Sequence, residues 1–341
     1  MLPPALANVC KQYENPIHRD VYLLSVITIF GSSFDNYYTQ YAGRKIRSNL
    51  FLYISDPQGI ADNSLEQAKI FADDIEDERI QFTIDYKKDY PDDLREYEEK
   101  LRLFLRKQIP TRPKEPPVPK EGKHYISTGI SAAMLMLQLR ENNGLGLLLE
   151  SGAAVGFINT NLIEWLKKLL PKALLNNSTS YYHTSAKEEI RLDHPAFSLL
   201  LSGSNEDILH MIPGENSPLL KVLSFYKTPD DVEYNPFSTI VDIDQDNMFG
   251  WFVDIYILLW FIDEPLHFAP GEQQQQEMWQ QCGRDKYLTL LCLRIAMILE
   301  IINYNREYLE RNNTITCSDN TLQCAIAIAK VIQQHNLVMY E

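Results

Sequence analysis

Cysteine is scarce and unpaired in this sequence: five residues, at 10, 282, 292, 317 and 324, contain no Cys-x-x-Cys pair. That odd count excludes a disulfide framework of the secreted kind and suits reduced thiols in a cytoplasm. Cys317, Cys324 and His335 are ligand-type side chains, yet their spacing matches no common zinc motif, and core positions on helices explain the cysteines better. Positive charge is also short, with 32 Lys and Arg against 46 Asp and Glu and a formal net charge of −14. A surface of that sign repels an undirected polyanion, so nucleic acid would need a local basic patch. No apolar run reaches the roughly 20 residues of a bilayer span. The richest, Trp251 to Ile262, carries Asp254 and reads as a buried helix. Met1-Leu2-Pro3-Pro4 lacks a basic start and a cleavable apolar segment, so secretion is not expected.

Common catalytic signatures are missing too. There is no Gly-x-Ser-x-Gly, no His-Glu-x-x-His, and no Gly-x-Gly-x-x-Gly after a strand, which argues against the usual hydrolase, zinc-protease and dinucleotide sites. Asp193-His194 and Ser202 have the composition of a triad. His194 precedes Pro195, however, and reads as the start of a buried strand with its imidazole satisfied by backbone.

What is present is enough apolar material for a large α/β domain with additions, 45% of 341 residues, and no internal repeat. Leu2 to Gly31 reads as helical. Asp35 to Ser48 is polar and aromatic, with Tyr37, Tyr38 and Tyr41 ahead of Arg44, Lys45 and Arg47. Tyrosines beside cations can stack bases and grip phosphates, and they equally suit a short β-ribbon with a solvated basic edge. Leu50 to Ser55 is an apolar strand that runs through a turn at Asp56 into a helix. A long polar helix over Ser64 to Gln108, interrupted near Pro91, carries the pairs Glu96 with Lys100 and Glu98 with Arg102, the pattern of a solvated face. Ile109 to Lys123 is a proline-rich, extended connector. With Arg106, Lys107 and Arg112 it forms a second basic patch, or simply a solvated linker.

Short strands then alternate with helices. Strands are expected at Tyr125 to Ser127, Gly146 to Ser151, Phe197 to Ser204 and Leu220 to Tyr226. Helices are expected at Ser131 to Glu141 and at Asn159 to Leu170, the latter stopped by Pro171, with a hairpin over Tyr181 to Leu192. Such alternation predicts an open, mostly parallel sheet. Beyond Thr228 the periodicity is helical. Residues 1–228 are therefore read as one α/β domain, with a helical preface at 1–48 and the charged helix and connector at 64–123. Residues 229–341 are read as a helical region packed on it as a lid or partner surface.

Ligands of open α/β sheets bind outside the carboxyl ends of the strands, which places Ser55, Glu150, Ser202 to Asn205 and the region of Lys221 in view. A phosphate-binding loop, Gly-x-x-x-x-Gly-Lys-Ser/Thr, surrounds phosphates with backbone N–H groups and one ammonium. Here Asp56 stands at the first glycine, Ala61 at the second and Asp62 at the lysine.

Taken in order, Leu2 to Leu6, Tyr37 to Ser55, Gly146 to Ser151, His194 to Gly203 and Gly283 to Leu299 resemble an uncharacterised P-loop ATPase family of bacterial mobile elements, associated with primase or helicase-like modules. The resemblance implies a RecA/ASCE-type P-loop NTPase-like fold with a strand added between the phosphate loop and the acidic strand. The family's loop, similar to Ser-Gly-Pro-x-Gly-x-Gly-Lys, falls on Ser55 to Asp62, where Ser55, Pro57 and Gly59 remain. Ser64 follows on the helix, and Ser204 and Asn205 fall where a γ-phosphate sensor would lie. Glu150 occupies the acidic strand, as an orienter of water or magnesium or as a carboxylate without function; the acidic positions after it are Gly152 and Ala154. Lys221 stands where an arginine would steady transition-state charge.

The expectation is a degenerate, inactive ATPase-like protein without cofactor or metal, acting through nucleic acid or replication and mobilisation proteins. Two alternatives stand beside it. One is an active ATPase using Mg-ATP, Glu150 and Lys221; the other is a single-stranded nucleic-acid-binding module built on the two basic segments.

Overall fold

The computed structural model describes residues 2–116, 118–119, 123–150, 160–183, 187–212, 218–229, 246–262 and 264–338. Two helices open the chain, α1 (Pro4–Cys10) and α2 (Pro16–Ser33). Pro16 cannot continue a helix from behind but suits a first position, and the Asn15 side chain accepts the Ile17 N–H at 2.9 Å. Those two residues divide the single helix expected over Leu2 to Gly31. Strands β1 (Tyr37–Tyr41) and β2 (Arg44–Ile46) form the expected antiparallel ribbon, turned at Gly43, whose φ of +76° a side chain would resist.

Next come β3 (Phe51–Ser55), α3 (Asp62–Leu105), β4 (Tyr125–Ile126), α4 (Ala132–Glu141), β5 (Leu147–Glu150) and α5 (Thr160–Leu174). The hairpin β6 (Thr179–His183) and β7 (Glu188–Leu192) leads to β8 (Ser198–Gly203), α6 (Asn205–Met211), a 3-10 turn at Pro218–Lys221 and β9 (Ser224–Lys227). The C-terminal region holds α7 (Asp246–Phe261), β10 (Leu266–Ala269), α8 (Glu272–Gln281), α9 (Lys286–Ile301), α10 (Arg306–Arg311), β11 (Thr314–Thr316) and α11 (Asp319–Val338). Neither internal proline stops its helix. Pro91 sits on an exposed turn, where water can take the carbonyl it frees, and Pro171 is only three residues from the end of α5.

The central sheet has the order β4-β5-β8-β3-β9 and every pairing in it is parallel. Strand β8 lies between the loop strand β3 and the acidic strand β5. All five residues of β3 are buried, because both faces of the sheet are covered. Its side chains alternate accordingly: Leu52 and Ile54 join the core under α2, α3, α7, α9 and α11, while Phe51 and Tyr53 join the core under α4, α5 and α6.

A second, four-stranded sheet has the order β11-β10-β1-β2. It corrects the purely helical expectation beyond Thr228. β1 pairs in parallel with β10, Tyr37 opposite Leu266, so residues near each end of the chain share a sheet and a core.

Helix α3 projects from this body. Its buried residues run from Ser64 to Tyr86 and none follows, so residues 87–105 form an arm of roughly 28 Å at 1.5 Å per residue. Tyr90, Leu94, Tyr97, Leu101 and Phe104 make a half-buried stripe along it. The connector returns beside that helix, with Pro113 and Pro116 bounding, with Tyr97 and Lys100, a shallow cleft of about 440 Å³. At the base, the Glu76 carboxylate takes the Arg79 guanidinium at 2.9 and 3.0 Å and the backbone N–H groups of His124 and Tyr125.

Candidate functional site

At the carboxyl end of β3 the chain turns sharply. The Asp56 N–H donates to the Gly203 carbonyl at 2.9 Å, the Gly59 N–H returns to the Asp56 carbonyl at 3.2 Å, and Gly59 takes a φ of +69°. Pro57 and Gln58 stand exposed at the tip of the turn. Ala61 caps α3 and has no side-chain oxygen to offer the free N–H groups of the first turn. The Asp56 carboxylate binds instead the N–H groups that lead into the helix. One oxygen accepts the Ile60 N–H at 3.1 Å and the Thr228 hydroxyl at 2.8 Å, and the other accepts the Ala61 N–H at 2.7 Å. With Asp56 only 8% exposed, the N–H groups of Ile60 and Ala61 are turned onto the protein's own anion.

Asp62, at the first position of α3, adds a second carboxylate. Asp62 is exposed to solvent, yet partial desolvation, then the charges of Asp56 and Glu66, push its carboxyl above the usual carboxylate range. A Cβ at Gly59 would also lie 2.7 Å from an Asp62 oxygen, so that side chain would have to swing aside. Ser64, fully buried, hydrogen-bonds His18 Nδ1 at 3.0 Å. Burial holds His18 below its ordinary range, while the Asp56 charge opposes that shift.

The neighbouring strand ends are internally paired. Ser55 Oγ hydrogen-bonds Asn205 Oδ1, and the Thr228 N–H donates to the Ser55 carbonyl at 2.9 Å. Ser204 caps α6 in a reciprocal box with Asp207, and its carbonyl accepts the Tyr53 hydroxyl at 2.7 Å. Glu150 accepts the Thr128 hydroxyl at 2.9 Å. Gly152 and Ala154 lie outside the described residues. Asp56, Ser55, Asn205 and Ser64 are thus brought together around the loop, with each polar side chain already engaged.

Lys221 is not part of that group. It precedes β9 in the 3-10 turn, at the amino-terminal edge of the sheet, whereas the β9 residue in register with Ser55 is Lys227. The family resemblance puts a cation before the last strand at Lys221; that strand begins only at Ser224. Lys221 instead borders a cleft of about 950 Å³ beneath the sheet, which residues of α8, α9 and α11 complete.

The basic candidates divide in the same way. Arg44 donates to Asn177 Oδ1 at 2.9 Å, Lys45 lies 4.0 Å over the Tyr38 ring, and Arg47 pairs with Asp35 at 3.4 Å. This ribbon adjoins the large cleft: the Arg47 carbonyl accepts from Arg294 Nε, and the Tyr41 hydroxyl donates to the Lys286 carbonyl. Arg106, Lys107 and Arg112 are exposed at the far end of the α3 arm. No triad forms either, because Asp193 takes Arg191 at 2.8 Å and His194 Nδ1 faces the Asn176 carbonyl at 3.2 Å. Cys317 is buried, Cys324 half-buried, and His335 stacks on Tyr226. Among the described residues no cluster has metal-ligand geometry, and no helix is long and apolar enough to cross a membrane.

Compared with models of known protein families and with curated proteins, the chain matches none.

Proposed function

We propose that this chain is a degenerate P-loop ATPase-like protein that does not hydrolyse nucleotide and acts through contacts with nucleic acid or with replication and mobilisation proteins in a cytoplasmic setting. The observation that carries the reading is the Asp56 carboxylate, which accepts the Ile60 and Ala61 N–H groups ahead of α3. Support for the scaffold comes from the strand order, with β8 between the loop strand and the acidic strand, as in ATPases of the added-strand type. Resemblance in fold does not transfer activity, so the site has to decide.

Mg-ATP fits this loop poorly. A polyphosphate would have to displace a carboxylate held by three hydrogen bonds, each worth about 1.5–3 kcal/mol where a charged group takes part. It would then meet Asp62, a like charge at the position of the missing lysine. Glu150 is left as a hydroxyl acceptor at a strand end.

Calorimetry tests this. The heat of ATP binding that requires magnesium is measured on the unaltered chain and on the variant Asp56→Gly, Ala61→Gly, Asp62→Lys. No magnesium-dependent binding by the unaltered chain and a gain in the variant are the expected results. Tight magnesium-dependent binding or ATP turnover by the unaltered chain would overturn the reading in favour of an active enzyme.

A further inference from the structure

The cleft at the amino-terminal edge of the sheet lies away from the loop and has a different chemistry. Arg294 of α9 lines it and is 1% exposed. Its Nε donates to the Arg47 carbonyl at 3.0 Å and its Nη2 to the Leu174 carbonyl at 2.6 Å. Backbone dipoles orient this guanidinium, but no carboxylate pairs with it among the described residues. Buried charges are ordinarily paired, so an uncompensated one beside a cavity needs an anion. Burial alone pushes its pKa down to about 9, which still leaves it charged at neutral pH.

Three more cations border the same space. Lys221, Arg284 and Lys286 are exposed and enter no ion pair among the described residues. The one acid in the lining, Asp285, already accepts the Tyr287 and Leu288 N–H groups at the start of α9. In a chain with a net charge of −14, four cations facing one acid is a strong local reversal. The wall also offers flat rings: Trp279, 40% exposed, and Tyr287, with Lys286 Nζ 4.9 Å from its centre. A volume of about 950 Å³ is at the upper end of what encloses a small ligand.

We infer that this cleft binds a nucleoside-phosphate unit, with its phosphate on Arg294, Lys221 and Lys286 and its base laid on Trp279. Guanidinium and ammonium groups match phosphate oxygens, and every base has a face that stacks on an aromatic ring. The unit could come as a free nucleotide or within a single strand. Only the second source rests on the proposed contact with nucleic acid.

The test is titration in EDTA with AMP, with a fluorescent (dT)8 and with inorganic phosphate. It uses the unaltered chain, a Lys221→Glu, Lys286→Glu variant, Trp279→Ala, and the loop variant above. These cleft residues are exposed, so the variants are expected to fold, and circular dichroism checks it. Saturable binding of AMP identifies a free nucleotide, and binding of (dT)8 alone identifies a strand. Either must weaken at least tenfold on charge reversal, weaken in Trp279→Ala, and persist in the loop variant. Binding that survives charge reversal, phosphate binding as tightly as AMP, or no saturable binding would overturn the inference. Because the cleft variants leave the loop unaltered, a loss of binding in them is assigned to the cleft whether or not the loop binds ATP.

Discussion

Glu76 holds His124 across 48 residues of chain: its carboxylate accepts the His124 backbone N–H at 3.1 Å, while Arg79, 4% exposed, donates to both carboxylate oxygens. This contact closes the base of the α3 arm by tying the helix to the first residues after the connector. Glu76→Ala would leave a buried guanidinium unpaired, with an expected loss of about 3–5 kcal/mol in urea unfolding. Tryptic cleavage after Lys107 or Lys114 should accelerate at the same time. A variant as stable as the parent would mean that water or another group takes over the charge of Arg79.

The loop gives a second prediction. Asp56→Ala leaves the Ile60 and Ala61 N–H groups without their acceptor, while the Thr228 hydroxyl keeps the Ser55 carbonyl at 3.2 Å, and should cost about 2–3 kcal/mol. Asp56→Asn keeps an acceptor oxygen and should cost less. Chemical denaturation of the pair checks the ranking; equal losses would show that the oxygen asparagine retains contributes nothing.

Asp62 predicts a dependence on pH. Its carboxyl titrates above the usual range in the folded chain through partial desolvation and the charges of Asp56 and Glu66, although the residue is exposed. Between the unfolded and the folded values the folded state binds more proton, so this group's contribution falls as pH rises through that window and is neutral in acid below both. Asp62→Asn should therefore be the more stable form at pH 7, by up to about 0.5 kcal/mol after allowance for solvent screening, with the difference vanishing in acid. Thermal melts at several pH values decide. A variant equally destabilised at every pH would contradict the assigned cause.

Gly31 gives a fourth prediction, from packing. A Cβ there would lie 2.5 Å from the Ser48 carbonyl oxygen and 2.9 Å from Ile298 Cδ1. The backbone oxygen cannot swing aside as a side chain can, so Gly31→Ala should cost about 1–3 kcal/mol despite alanine's better helix propensity. An unchanged melting temperature would show that α2 can move away from Ser48.

How much of this was legible in the sequence depended on how local each feature is. Leu52, Leu148 and Leu200 sit in short apolar runs bounded by turn residues, so the parallel strands were readable, as was the solvated outer half of α3. β10, Leu266 to Ala269, and β11, Thr314 to Thr316, are too short to show a period and exist because β1 is there to pair with. Pro91 and Pro171 were read as breaks because the effect of a proline depends on where the freed carbonyl points. The carboxylates at Asp56 and Asp62, beside the turn after an apolar strand, were visible residue by residue. That Asp56 reaches the N–H groups of Ile60 and Ala61 depends on three-dimensional turn geometry, which no spacing encodes. The large cleft is the extreme case, assembled from positions near 50, 174, 221, 285 and 335.

The parallel pairing of β1 with β10 has a consequence for synthesis on the ribosome. Tyr37 leaves the exit tunnel long before Leu266, its partner, has been translated. At 5–20 residues per second the interval is roughly ten to fifty seconds. During that time one edge of β1 lacks its hydrogen-bonding neighbour, and the apolar face of α2 lacks α7 and α9. The nascent chain therefore passes through a stage at which an exposed strand edge and an open core invite a chaperone, and folding can finish only after translation has passed β10.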